Sequence, residues 1–346
     1  MKYTFRVIEG RMPNGKPFKE GVFSDNFTAQ KSADALLNDI DSGRIELEDA
    51  LEIAINLHED FDNLETSILL GSLFRKLVMY FESDDVYEEA YKRAIKFIPK
   101  GFRGQIKWVY PGNRPFLRIA HGYLLTLMAA RDERKARALA NKLLRWSPED
   151  DLGVRLLVND INLISGDYVS TLPNYLALTG EAPVNWYRAA LCALRVSNYV
   201  DACTYLRKGI AGNVYVAEGL TGRFPLDEHV SGNNSDLNGP RAASEYLASP
   251  TNLWTYEEID FVDWVFNSSD VLRERADLMA ISEALVFEND TATRADWRAR
   301  ADAFVKGIDD RVSRKMVRKV TTRAGKEVWP WARARRYPFG EKAPVS

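Results

Sequence analysis

A chain of 346 residues, 46% of them hydrophobic, is long enough to fold around one large core or two modest ones. Charged residues make up 28% and the formal net charge is −2, so the overall balance points to neither nucleic acid nor a membrane surface. Two cysteines do not make a disulfide framework, and with only three histidines they leave few ligands for zinc; no metal or cofactor is expected.

The opening stretch, MKYTFRVIEG, lacks the apolar core of a signal peptide. Nowhere does the chain offer the roughly 18 uncharged apolar residues of a membrane span. A cytoplasmic protein with no membrane partner is expected. Residues 1–30 read as an N-terminal β-hairpin arm: KYTFRVIEG alternates apolar and polar residues, Asn14-Gly15 supplies a turn, and FKEGVF resumes the strand. From Ser32 the period changes. Leu47, Leu51 and Ile55 begin a stripe at helical spacing, and residues 31–212 are expected to be helical hairpins.

The stretch NWYRAALCALRVSNYVDACTYLRKGI (185–210) reads as two helices broken at RVSNYVDA. Trp186, Ala189, Ala190 and Ala193 share one face of the first; Ala202, Leu206 and Gly209 share one face of the second. Small residues at Ala190 and Ala202 allow close antiparallel packing. Cys192 and Cys203 then fall inside as small hydrophobes rather than nucleophiles. Weaker copies carry Ala90, Ala136 and Thr171 where Ala202 stands, so the landmarks lie 46, 35 and 31 residues apart. The last two intervals bracket the ~34-residue tetratricopeptide period, and the first accommodates an inserted loop, GFRGQIKWVYPGNRP. Residues 213–310 read as a helical cap carrying a Gly/Asn/Asp-rich loop at 222–241, with Asp270 and Thr291 or Thr293 as helix N-caps.

The series NRPFLRIAHGYLL, LLRWSPEDDLGVRLLV, GDY, NWYRAALCALR and NVYVAEGLTGRFP resembles degenerate tetratricopeptide-repeat-like helical proteins of bacteria. Over about residues 110–265 it is similar to the tail of the suppressor-of-tumorigenicity family. The resemblance implies a mostly α fold of stacked antiparallel helical hairpins, an α-solenoid, and it implies no catalytic residues.

Residues 311–346 form a basic, aromatic C-terminal arm, with eleven Lys or Arg against Glu327 and Glu341; residues 39–65 are the reverse, ten acids against Arg44. The arm reads either as a second hairpin about Gly325 or as an extended segment. Its Arg318, Lys319, Arg323, Lys326, Trp329, Trp331, Arg333, Arg335 and Arg336 are candidates to touch nucleic acid or an acidic partner. The alternative is that the tryptophans pack back on the helices. His121 is expected to be a packing residue, and His229 lacks neighbours at metal-ligand spacing. The expected function is therefore non-enzymatic: a helical-repeat surface that binds a peptide or protein partner. Arg155, Asn159, Arg188 and Arg195 are the exposed contacts expected to favour an acidic ligand. Two alternatives remain, a nucleic-acid-associated factor using the arm and an enzyme with a site near 222–241.

Overall fold

The alternating N-terminal segment forms β1 (Phe5–Arg11) and β2 (Pro17–Phe23), antiparallel, with Phe5 opposite Phe23 and Arg11 opposite Pro17. Gly15 takes φ +79° in the turn, and Asn14 Oδ1 accepts the Lys16 backbone N–H at 3.1 Å. This computed structural model describes residues 4–11, 14–24, 27–61, 63–229, 238–249 and 252–333. They are mostly helical, with two small antiparallel strand pairs. The chain divides into two units, Met1–Ile161 and Asn162–Ser346. That boundary falls within the 31–212 stretch expected to be one array.

The first unit continues with α1 (Phe27–Asp41), α2 (Leu47–Phe61), α3 (Leu64–Lys76), α4 (Tyr80–Ala94), α5 (Asn113–Ala129), α6 (Glu133–Trp146) and the start of α7 (Val154–Ile164). Its hairpin is tied to the inserted loop. Gly21 donates its N–H to Gln105 O at 2.7 Å, and Gln105 donates to Lys19 O at 2.9 Å. Fully buried Asn113 completes the clamp: Oδ1 accepts from Phe23 N–H, and Nδ2 donates to Gly21 O and Lys107 O. Buried Glu20 accepts from Tyr110 Oη at 2.6 Å and from Lys107 Nζ at 2.7 Å. Burial alone would raise the Glu20 carboxyl, but the hydrogen bonds from Lys107 and Tyr110 outweigh it and hold the group below its ordinary value. Phe23 stacks on Phe116, which in turn meets Trp146 edge to face.

One local device recurs in both units. Val78, Arg131, Gly166 and Ser197 adopt positive φ, +63°, +57°, +83° and +60°. Each is followed by an N-cap residue, Met79, Asp132, Asp167 or Asn198, with φ between −87° and −82° and ψ between 63° and 72°. The backbone bonds also match. Each positive-φ residue donates to the carbonyl three residues back, and each cap donates to the one five back. A left-handed residue closes the preceding helix by taking up its last carbonyls, which turns the chain sharply into the next helix. Four residues past each cap stand Ser83, Ala136, Thr171 and Ala202, all buried. Ser83, not Ala90, is thus the first landmark. Serine fits that small slot because its hydroxyl donates to Gly71 O at 2.8 Å.

The second unit holds α8 (Tyr168–Ala177), α9 (Val184–Arg195), α10 (Tyr199–Gly212), α11 (Val214–Leu220), α12 (Pro240–Ala248), α13 (Tyr256–Phe266), α14 (Ser269–Phe287), α15 (Thr291–Gly307) and α16 (Asp310–Met316). The N-caps of α14 and α15 are Ser268 and Asp290 rather than Asp270 and Thr291 or Thr293; their side chains accept from Val271 and Thr293 N–H. Gly325, at φ +77°, turns β3 (Val320–Thr321) into β4 (Glu327–Val328), the second of the strand pairs and one of the two forms expected for the arm.

Candidate binding groove

The α9–α10 pair is an interior. Cys192 and Cys203 are both fully buried, and burial pushes the Cys203 thiol up to about 11, far from a reactive thiolate. The large residue at the helix contact is Tyr187, one position beyond Trp186. Its ring covers Gly209, where an added Cβ would lie 2.9 Å from the ring, and its Oη donates to Asn213 O at 2.7 Å. Trp186 is only half-buried. It leans on Tyr205, ring centroids 5.8 Å apart, and Lys208 Nζ sits 4.9 Å over its face. Trp254 and Trp264, both half-buried, pack against the core.

The residue displaced from the core borders an open cleft of about 700 Å³. One side is the end of α10 and the start of α9, where Gly212 passes so close to Pro183 that a Cβ would lie 2.7 Å from it. Opposite stand Leu278, Ile281 and Leu285 of α14, three and four residues apart, and Ala301 and Val305 of α15. These residues form an aliphatic floor. Of the described charged residues on the walls, Lys208, Arg294, Arg298 and Lys306 are cationic and only Asp302 is acidic. Arg294 is committed within the hairpin, since its guanidinium donates to Leu285 O and Glu288 O and closes the α14–α15 turn. Arg298 and Lys306 are exposed.

At the α10 end the cleft runs into a smaller hollow of about 130 Å³, and the two share Gly212, Leu278 and Ser282. There His229 Nε2 lies 3.1 Å from Glu218 Oε2, and the His229 backbone N–H donates to Tyr215 Oη. Arg275 lies 3.6 Å from the same carboxylate and over the Phe266 ring. Glu218 thus lies between the His229 ring and the Arg275 guanidinium. Among the described residues, no group of three or more His, Cys, Asp or Glu is placed to hold a metal ion, and no helix is long and apolar enough to cross a membrane.

The hairpin α14–α15 is anchored at its far end by Arg207. This guanidinium, 2% exposed, pairs with Glu274 and donates to Asp309 O at 2.8 Å and Ser313 Oγ at 3.0 Å.

The residues expected to bind a partner fall elsewhere. Arg155 is exposed but paired with Asp150 at 3.3 Å, and Asn159 is buried, both in the first unit. Arg188, expected to be exposed, is 7% exposed beneath the Tyr246 ring. Arg195 pairs with Glu258 at 2.7 Å and lies over Tyr168. Both arginines brace α9 against its neighbours. Helical periodicity put them on an outer face; α8, α12 and α13 cover that face.

The tryptophans of the C-terminal arm pack back on the helices. Trp331 is buried, stacked 4.9 Å from Trp329 and enclosed by Tyr199, Phe261 and Trp264. Neither indole is an open stacking platform. Arg318, Lys319, Arg323 and Lys326 are exposed around that hairpin, with Lys319 Nζ 5.4 Å over Trp329. Arg333 ends the described segment, and Arg335 and Arg336 lie outside the described residues. His121 is half-buried in α5; burial, then Arg75, lowers its ring pKa, which suits a neutral packing role.

Sequence reasoning missed the groove residues Lys208, Leu278, Ile281, Arg298, Val305 and Lys306. One signal was present: residues 269–307 scatter their apolar side chains around the helix instead of gathering them on one face. The chain matches no family model, no curated protein and no solved structure.

Proposed function

We propose that this chain is a non-enzymatic interaction module, a cytoplasmic adaptor that takes a peptide or protein segment on the surface of its helical hairpins. The observation that carries the reading is a packing deficit beside a cleft. The 36 residues of α14 and α15 bury only Val271 and Leu285, whereas helices in proteins are stabilised mainly by burying an apolar face. A partner laid along Leu278, Ile281 and Val305 would supply that missing contact. The recurring left-handed turn supports reading the hairpins within each unit as degenerate tetratricopeptide-like pairs, in keeping with the family resemblance.

The test is selection of a displayed peptide library on the full chain. Enriched peptides should lose binding to I281D/V305D, while a cooperative thermal transition shows that the variant still folds. Equal binding to that variant, or no enrichment, would refute the reading.

A second reading rests on the exposed Arg318, Lys319, Arg323 and Lys326: a nucleic-acid-associated factor using the β3–β4 hairpin. Binding to oligonucleotides at two salt concentrations decides it. A steep salt dependence lost in R318E/K319E/R323E/K326E favours this reading; no binding at low salt removes it.

A further inference from the structure

The groove carries more information than the presence of a partner. On the interaction reading just proposed, we infer that its occupant is an amphipathic α-helix of about three turns with an aliphatic face and acidic flanks.

The aliphatic face follows from the floor. Leu278, Ile281 and Leu285 on one helix and Val305 on the other present half-buried or buried apolar side chains at helical spacing. That arrangement suits ridges at i, i+3, i+4 and i+7 from an incoming helix. The helical state follows from the backbone. The walls are mainly α9, α10, α14 and α15, with Thr179, Pro183 and Asn238 beside them, and among the described residues no strand borders the cleft to offer an edge to an extended peptide. A segment that desolvates its backbone here has to bring its own hydrogen bonds, as a helix does.

The length follows from the wall. Arg294 to Lys306 spans about 18 Å at 1.5 Å per residue, roughly three turns. The acidic flank follows from charge. Among the described residues, Lys208, Arg298 and Lys306 border the cleft against a single acid, Asp302, and opposite charges at a rim steer encounter and set partner choice. The acidic ligand expected from the sequence thus remains, with different residues to receive it.

The experiment uses the full chain and three side-chain-stapled, fluorescein-labelled helical peptides that share one Leu/Ile face. Their flanks are Glu, Ser or Lys, and binding is read by anisotropy at low and high salt. The Glu-flanked peptide should bind about tenfold more tightly than the Lys-flanked one at low salt, the effect that pairs with half-buried Lys208 and exposed Arg298 and Lys306 supply together. The gap should narrow with salt, and K208E/R298E/K306E should reverse the ranking. Equal affinities, or a Lys-flanked peptide that binds best, would overturn the acidic partner and leave the groove reading standing. If none of the three binds, both fail.

Discussion

Two helical hairpins of the second unit meet at the groove and could hardly differ more in how they are held. In α9, nine of its 12 residues are buried, among them Tyr187 against Gly209. In α14 and α15, two of 36 are. The first pair is built by apolar contact along its length. The second is closed on itself by the Arg294 clasp and tied to the rest of the unit by Arg207–Glu274 and by Arg275 against Glu218 and Phe266, with half-buried aliphatic side chains between. A hairpin tethered in that way keeps its shape while leaving a surface for something else to cover.

Substitutions put this contrast to the test. Tyr187→Ala should do the most damage, since it removes a fully buried ring and its bond to Asn213 O. It should cost about 4 kcal/mol, read as a fall of roughly 10 °C in thermal unfolding. Glu274→Gln leaves the buried Arg207 guanidinium without its counter-charge. A loss of about 3 kcal/mol is expected, with faster amide exchange concentrated in α14 and α15. Unchanged exchange there would show that the hairpin is held by something other than its end. Ser197→Gly relieves a left-handed residue in the α9–α10 turn and should raise stability by about 1 kcal/mol, measured by denaturant midpoint. Ile281→Ala should matter least, costing about 1 kcal/mol or less. A loss near that of Tyr187→Ala would mean that the groove floor is core, and the contrast would fall.

The reading of Trp186 shows where sequence patterning stops. Periodicity finds that two helices meet near residues 186–209, and both thiols are inside as it requires. Trp186 and Tyr187 are neighbours, however, and a 3.6-residue period assigns a face only to within about one residue. The glycine at 209 decides the matter: a ring lies flat where there is no Cβ, and Tyr187 is the one aimed at it. Ala90 displaces Ser83 in the sequence pattern for a similar reason. The turn that sets the register is made by Val78 and Met79, which carry none of the usual turn chemistry.

Helical character, the Asn14-Gly15 hairpin, the two-cysteine interior and a break within RVSNYVDA are all legible along the chain, because each is a local matter of period, small side chains or turn residues; around Gly325 the sequence leaves two forms open, a hairpin or an extended segment. Which charges stay outside is settled by packing between distant segments. Arg188 and Arg195 lie on a polar-looking stripe that other helices cover, whereas Lys208, Arg298 and Lys306 come from segments about 90 residues apart in the chain and meet across one cleft. A local period cannot register such a meeting, since the covering element lies far away in sequence.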